Sequence, residues 1–229
     1  MKNTKLILFT FLAITAILFS SCGASSSSDS TSTEKVEGGT ESTESGAVVT
    51  IGTQAWTSKN LDVATYRNGD VIPQVKEASA WASLTTGAWC YYDNDASNGP
   101  KYGKLYNWYA VNDPRGLAPK GFHIPSDAEW TVLTDYLGGA AAVGTKMKSS
   151  SGWYENGNGT NSSGFAGFPG GARDDDGTFG NIGRIGFWWS ASEDNSYNAW
   201  YRYLYGNNGD VYRFNYYKQN AFSVRCLGD

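Results

Sequence analysis

Histidine occurs once, at His123, and cysteine three times, at Cys22, Cys90 and Cys226. With no second imidazole there is no His-rich metal site, and a Ser-His-Asp triad would have to be built on that one residue. Charge is also sparse, at 17% of residues, and the formal net charge is -4. Lysine and arginine form no cluster, so the electrostatic footprint of a nucleic-acid binder is missing and nucleic acid is not an expected partner. The apolar run at residues 6–19 is 14 residues long. A helix needs roughly 18 to 20 residues to cross a bilayer core, so this run is no permanent span.

What is present begins with the setting of that run. Lys2 and Lys5 precede it and Phe19-Ser20-Ser21-Cys22 closes it, which is the three-part layout of an export signal. Small residues directly before a cysteine resemble the lipobox of bacterial lipoproteins, whose cysteine is acylated after cleavage, although Phe19 departs from the usual leucine. The resemblance implies a signal peptide at residues 1–21 and a lipidated Cys22, anchored by acyl chains at about 0.8 kcal/mol per buried methylene. Ordinary cleavage near Ser21, leaving Cys22 as a thiol, is the alternative. Residues 23–46 hold 12 Ser or Thr, five acidic residues and no aromatic residue. Such a segment cannot bury enough apolar surface to fold and reads, with Cys22, as a flexible linker over 22–46. The expected setting is the bacterial outer membrane, facing the periplasm or the exterior. The expected partners are the membrane, through the lipid, and a polysaccharide or an envelope protein.

Residues 47–229 number 183, the size of one domain with a substantial core. Short apolar and aromatic runs alternate with Gly, Asn and Asp, and no α/β alternation is visible. Strands are expected at 48–51 and 54–56 around Gly52, and at 88–92, 165–168, 187–191, 199–205, 211–217 and 221–227. Asn207, Asn208 and Gly209 supply a hairpin turn. The clearest helix starts at Ser126, where Ser126 and Glu129 form a capping-box pattern, Trp130, Leu133 and Leu137 share one face, and Gly138 stops it. Shorter helices are expected at 77–84 and 140–148. Cys90 and Cys226 are a candidate disulfide in an exported protein, worth about 4 to 5 kcal/mol in the chain-entropy model. Two buried free thiols are the alternative.

Gly-Phe-His-Ile-Pro-Ser-Asp-Ala-Glu-Trp at 121–130 resembles the helix-start motif of formylglycine-generating enzymes and their relatives. Those proteins have a C-type-lectin-like fold, which implies an α+β architecture of short twisted antiparallel strands, two helices and long loops. A closer resemblance is to the Fibrobacter succinogenes major paralogous domain. It is carried by I-G-T-Q-x-W (51–56), K-N-L (59–61), W-C-Y-Y-D-N-D (89–95), K-Y-G-K-L-Y-N-W-Y-A-V (101–111), G-F-x-G-F-P-G-G-A-R (164–173), F-W-W-S-A-S-E (187–193) and F-S-V-R-C (222–226). The likeness runs from Val49 to the C-terminus and implies no particular activity.

His123 stands where the formylglycine-generating relatives have Arg, and Cys90 and Cys226 do not form their closely spaced cysteine pair. An enzyme of that group is therefore the last of three readings, and no catalytic residue is assigned. Asp93, Asp95 and Ser97 imitate the start of a calcium loop, but Lys104 occupies the position where a bidentate Glu is needed, so an Asx-rich turn is the stronger reading and no cofactor is expected. The chain carries 9 Trp, 15 Tyr and 10 Phe. Aromatic rings stack on sugar faces, and they also fill β-rich cores. Loop positions favour contact, which singles out Trp153, Tyr154, Tyr197 and Trp200, together with Arg173, Asp174, Asp175 and Asp176, as a binding rim. Along β-alternation, Trp200, Arg202 and Leu204 share one face while Tyr201, Tyr203 and Tyr205 share the other. The leading expectation is a non-catalytic module for glycan or another extracellular polymer. A structural or protein-interaction module is the second reading.

Overall fold

The computed structural model describes residues 47–229. The expected export signal, Cys22 and the expected linker lie outside the described residues. The strands are β1 (Val48–Ile51), β2 (Gln54–Thr57), β3 (Trp89–Cys90), β4 (Leu105–Asn107), β5 (Phe122–His123), β6 (Gly170–Arg173), β7 (Phe179–Ile182), β8 (Ile185–Glu193), β9 (Asn198–Tyr205), β10 (Val211–Tyr217), β11 (Ala221–Phe222) and β12 (Leu227–Gly228). The helices are α1 (Ala78–Ala82), α2 (Gly99–Tyr102), α3 (Trp108–Val111), α4 (Asp127–Leu137) and α5 (Gly144–Met147). The fold is thus α+β with strands dominating. No helix among the described residues is long and apolar enough to cross a membrane.

One sheet has the order β1-β2-β12-β5, and the other runs β10-β9-β8-β6-β11-β4-β3 with β7 paired to β6. In the first, the C-terminal strand lies between the N-terminal hairpin and β5, with Leu227 opposite both Trp56 and His123. The second is antiparallel except where Gly171 of β6 meets Gly186 of β8 in parallel.

Helix α4 forms where its local signals place it. Ser126 Oγ accepts from the Glu129 amide at 3.3 Å, and the Glu129 carboxylate accepts from the Ser126 amide at 2.7 Å. This reciprocal cap satisfies donors that the first turn otherwise leaves orphaned. Gly138, at φ 118, takes the left-handed conformation that ends the helix. The buried face carries Trp130, Leu133 and Leu137. Trp130 packs on Trp56 with ring centroids 4.7 Å apart, and Phe165 joins both before meeting Trp188.

Eight of the nine tryptophans are buried, Trp200 being the exception. Their indole N–H groups hold irregular segments in place by donating to backbone carbonyls: Trp89 to Ile72, Trp108 to Ser190, Trp189 to Tyr106 and Trp81 to Gln219, each at 2.9 Å. The tryptophan load is therefore mostly core and scaffold, which narrows the aromatic residues free to meet a ligand.

Several expected elements differ. Residues 165–168 form no strand; Gly167 makes a single bridge to Lys148, while Phe165 is fully buried as a core side chain. Residues 221–227 hold two-residue strands at each end of an irregular stretch. One-turn helices α2 and α3 carry no periodic pattern long enough to announce them.

The disulfide expectation is corrected. Cys90 and Cys226 are buried free thiols, Cys90 packed with Trp81 and Leu105, Cys226 in a separate core cluster with Val224 and Phe222. Burial pushes each thiol up to about 12. Both behave as small apolar side chains.

His123, half-buried, ties the chain end to the helix cap. Its Nδ1 lies 2.8 Å from Asp229 Oδ1 and its Nε2 lies 3.0 Å from Glu129 Oε1. Burial opposes its charge, but the two carboxylates outweigh burial and raise its pKa above the ordinary value of 6.5. A folded-state pKa above the unfolded one stabilises fully below about pH 6.5 and is lost as pH rises through the folded value. The melting-temperature advantage of the native protein over His123→Asn is therefore expected to be largest in mild acid and to shrink toward mild alkali. A difference independent of pH would show that the imidazolium contributes nothing.

Candidate functional site

The expected rim divides into separate neighbourhoods, and two of its members belong to the core. Trp153 is 4% exposed; its Nε1 donates to Ser149 Oγ at 3.1 Å and to the Gly167 carbonyl at 3.2 Å. The loop turns inward because those acceptors and the cluster of Met147, Trp188 and Leu204 receive the indole. Arg173 is 1% exposed, held between the rings of Trp81 and Phe179. Tyr154 is exposed beside Arg184 and Tyr205. Tyr197 is exposed on the β8–β9 turn. Trp200 is half-buried beneath the Arg213 guanidinium, which also bonds Asp127.

The calcium candidates serve local structure. Both carboxylate oxygens of Asp95 accept from Ser97, one from its amide at 2.9 Å and one from its hydroxyl at 2.8 Å. Asp93 is exposed, and no group of three or more His, Cys, Asp or Glu that could hold a metal gathers among the described residues. Asp176 is likewise used by Thr178, its Oδ1 accepting from the Thr178 amide and hydroxyl.

What the strands do bring together is a tyrosine-rich face. The β9–β10 register sets Tyr203 opposite Tyr212 and Tyr201 opposite Phe214, while β8 sets Phe187 opposite Tyr203. Directly opposed residues point to one side of the sheet, so these five rings share a surface with Tyr216. Tyr203 and Tyr212 stack at 4.6 Å with planes 10° apart, and Phe187 and Tyr201 lie 5.9 and 6.0 Å from their neighbours Tyr203 and Phe187. The face is buried at its β8 end and opens toward β10, where Phe214 is 57% and Tyr216 is 40% exposed. On the other face of β9, Arg202 and Leu204 are buried, Arg202 reaching Asp127 of α4 at 2.6 Å.

Asp174 borders the tyrosine face. Burial raises its pKa, and Asp176 and Asp175 add to the rise. Asn220 links it to the end of β10, its backbone amide donating to the Tyr217 carbonyl at 3.0 Å. Asn220 donates from Nδ2 to Asp174 Oδ1 at 3.0 Å, while its own buried Oδ1 has no partner. Aromatic rings and a half-buried carboxylate are groups that stack on sugar rings and bond hydroxyls, whereas the Asn220 amide, 1% exposed, holds that carboxylate from inside.

A family model for the Fibrobacter succinogenes major domain matches residues 49–227. The chain belongs to this family. Its span coincides with the likeness read from Val49 onward. Neither the curated proteins nor the solved structures contain a match to the chain. Of the residues expected at a binding rim, Asp174 and Asp175 lie in the turn between β6 and β7, while Phe214, Tyr216 and Asn220 were not among the expected residues. The alternation Tyr212, Phe214, Tyr216 in β10 was the available signal.

Proposed function

We propose that the domain is a non-catalytic binding module for a glycan or another extracellular polymer, and that the tyrosine-rich face is its contact surface. The observation that carries the reading is the exposed end of that face, Phe214 and Tyr216, on the strand whose end at Tyr217 is tied to Asn220 and through it to the half-buried Asp174. Isolated exposed aromatics are ordinary, whereas a continuous aromatic surface rimmed by polar groups marks an interaction site. The export signal and Cys22 support display as an outer-membrane lipoprotein, with the linker over 22–46 as spacer. A C-type-lectin-like arrangement is proposed as well, supported by the motif at 121–130 and by the C-terminal strand lying within the N-terminal sheet.

Binding to cell-wall and extracellular polysaccharides tests this reading. Phe214→Ala and Tyr216→Ala are each expected to weaken binding about tenfold, as truncating a contact anchor does. Tyr197→Ala, outside the face, is expected to leave binding unchanged. Equal binding by all three variants would remove the tyrosine face from the proposal. The edge position of β10, unpaired among the described residues, favours protein interaction as the second reading, because an open edge offers backbone groups to another strand. That reading requires capture of an envelope protein, lost on proline substitution at Asn215, with no polysaccharide bound.

A further inference from the structure

A cleft of about 640 Å³ opens where residues 58–62 face residues 99–103, lined by Ser58, Lys59, Asn60, Asp62, Lys101 and Phe168 among others. This volume falls within the roughly 300–1,000 Å³ usual for small-ligand sites. Its residues are distinct from those of the tyrosine face. The two walls approach closely at Gly103, φ 71, where a side-chain Cβ would come within 2.8 Å of the Leu61 carbonyl.

Charge in the cleft runs against the net charge of the chain. Asp62 is its single acid, and the buried Lys104 neutralises it at 2.6 Å. Lys59 and Lys101 are exposed and have no carboxylate within ion-pair distance among the described residues. The Lys101 ammonium is already held over two rings, 4.8 Å from the centroid of Tyr102 and 5.8 Å from that of Phe168. Beneath the wall, Arg225 bonds Asn60 Oδ1 at 2.7 Å and adds a further buried cation without a carboxylate. An anion entering here therefore meets excess positive charge. The apolar surfaces of Pro100 and Phe168 complement a flat C–H face, and Asp62 Oδ2, free of protein partners among the described residues, is an acceptor for a hydroxyl.

We propose that this cleft binds a carboxylated sugar, a uronic-acid unit whose carboxylate is held between Lys59 and Lys101 and whose ring lies against Phe168. The discriminating probe is an oligogalacturonate of three sugars compared with its fully methyl-esterified form, which keeps the shape and removes the charge. Calorimetry on the full protein is expected to show saturable binding of the free acid and at least roughly tenfold weaker binding of the ester, the usual cost of losing a charge-assisted contact. Lys101→Met and Lys59→Met retain the apolar stem while removing the ammonium. Each is expected to lower affinity for the acid about tenfold and to move the melting temperature by no more than about a few degrees, the most that loss of the Lys101 contact with its two rings would cost. Tyr197→Ala, outside both surfaces, is expected to leave acid binding intact, and only the lysine variants are expected to lose the preference for acid over ester, which separates this site from the tyrosine face. Equal binding of acid and ester, or acid binding that survives both lysine substitutions, overturns the proposal. Displacement of the acid by equimolar inorganic sulfate overturns the sugar assignment.

Discussion

Arg225→Ala is expected to destabilise the domain by about 3–5 kcal/mol, read by chemical denaturation. The guanidinium is fully buried, and burial brings its pKa down to about 9, which leaves it charged at neutral pH. No carboxylate compensates it among the described residues. Neutral acceptors do: Nε donates to Asn60 Oδ1 at 2.7 Å, Nη1 to the Thr57 carbonyl at 2.6 Å and Nη2 to the Ala166 carbonyl at 3.0 Å, and the group lies 4.5 Å from the Phe165 ring centroid. Removing the side chain strands the Thr57 and Ala166 carbonyls, and each unpaired buried group costs about 1–3 kcal/mol. Asn60 spreads the damage, because its Oδ1 also accepts from Trp188 Nε1 and its Nδ2 donates to the Tyr102 carbonyl and Ser223 Oγ. Asn60→Ala and Arg225→Ala are therefore expected to be less than additive, with a coupling of about 1–3 kcal/mol in a double-mutant cycle. Strict additivity, or a loss below about 1 kcal/mol for Arg225→Ala, contradicts the hub.

The same residues show what was legible in the sequence. Helix α4 was readable because its start, buried face and stop are encoded within 13 consecutive positions, 126–138. The β1–β2 and β9–β10 hairpins were readable for a related reason, since alternation and turn residues are local. Two-residue strands such as β5 and β12 were not, because their partners lie far off in the chain and the pairing, rather than propensity, makes them strands. Exposure failed in the same way. Trp153 sits in a Gly- and Asn-rich stretch that reads as surface loop, yet its acceptors Ser149 and Gly167 draw it inward. Of the candidate site, the acidic turn at Asp174 was visible as composition, whereas its neighbour Asn220 was brought to it only by the adjoining β6 and β11 strands.

Arg173→Lys is expected to cost about 3 kcal/mol although it conserves the charge, since lysine lacks the rigid fork that a buried bidentate site uses. Arg173 Nε donates to the Gly177 carbonyl at 2.9 Å, closing the turn after β6, while Nη1 and Nη2 donate to the Val75 and Lys76 carbonyls at 2.7 Å each. Those two carbonyls lie just before α1, whose Trp81 ring stacks on the same guanidinium at 4.5 Å. The side chain thus fastens residues 75–76 and the start of α1 to β6. The loss is expected to be local first: hydrogen exchange should rise at Trp81 and Leu84 before it rises in β8 and β9, because the segment opens while the sheet stays closed. A ligand-contacting arginine on a rim would behave in the opposite sense. Substitution there weakens binding and leaves exchange and stability untouched, and that pattern for Arg173→Lys would return the residue to the binding surface. With the guanidinium clamped between two rings and three carbonyls already using its donors, it has little left to offer a ligand.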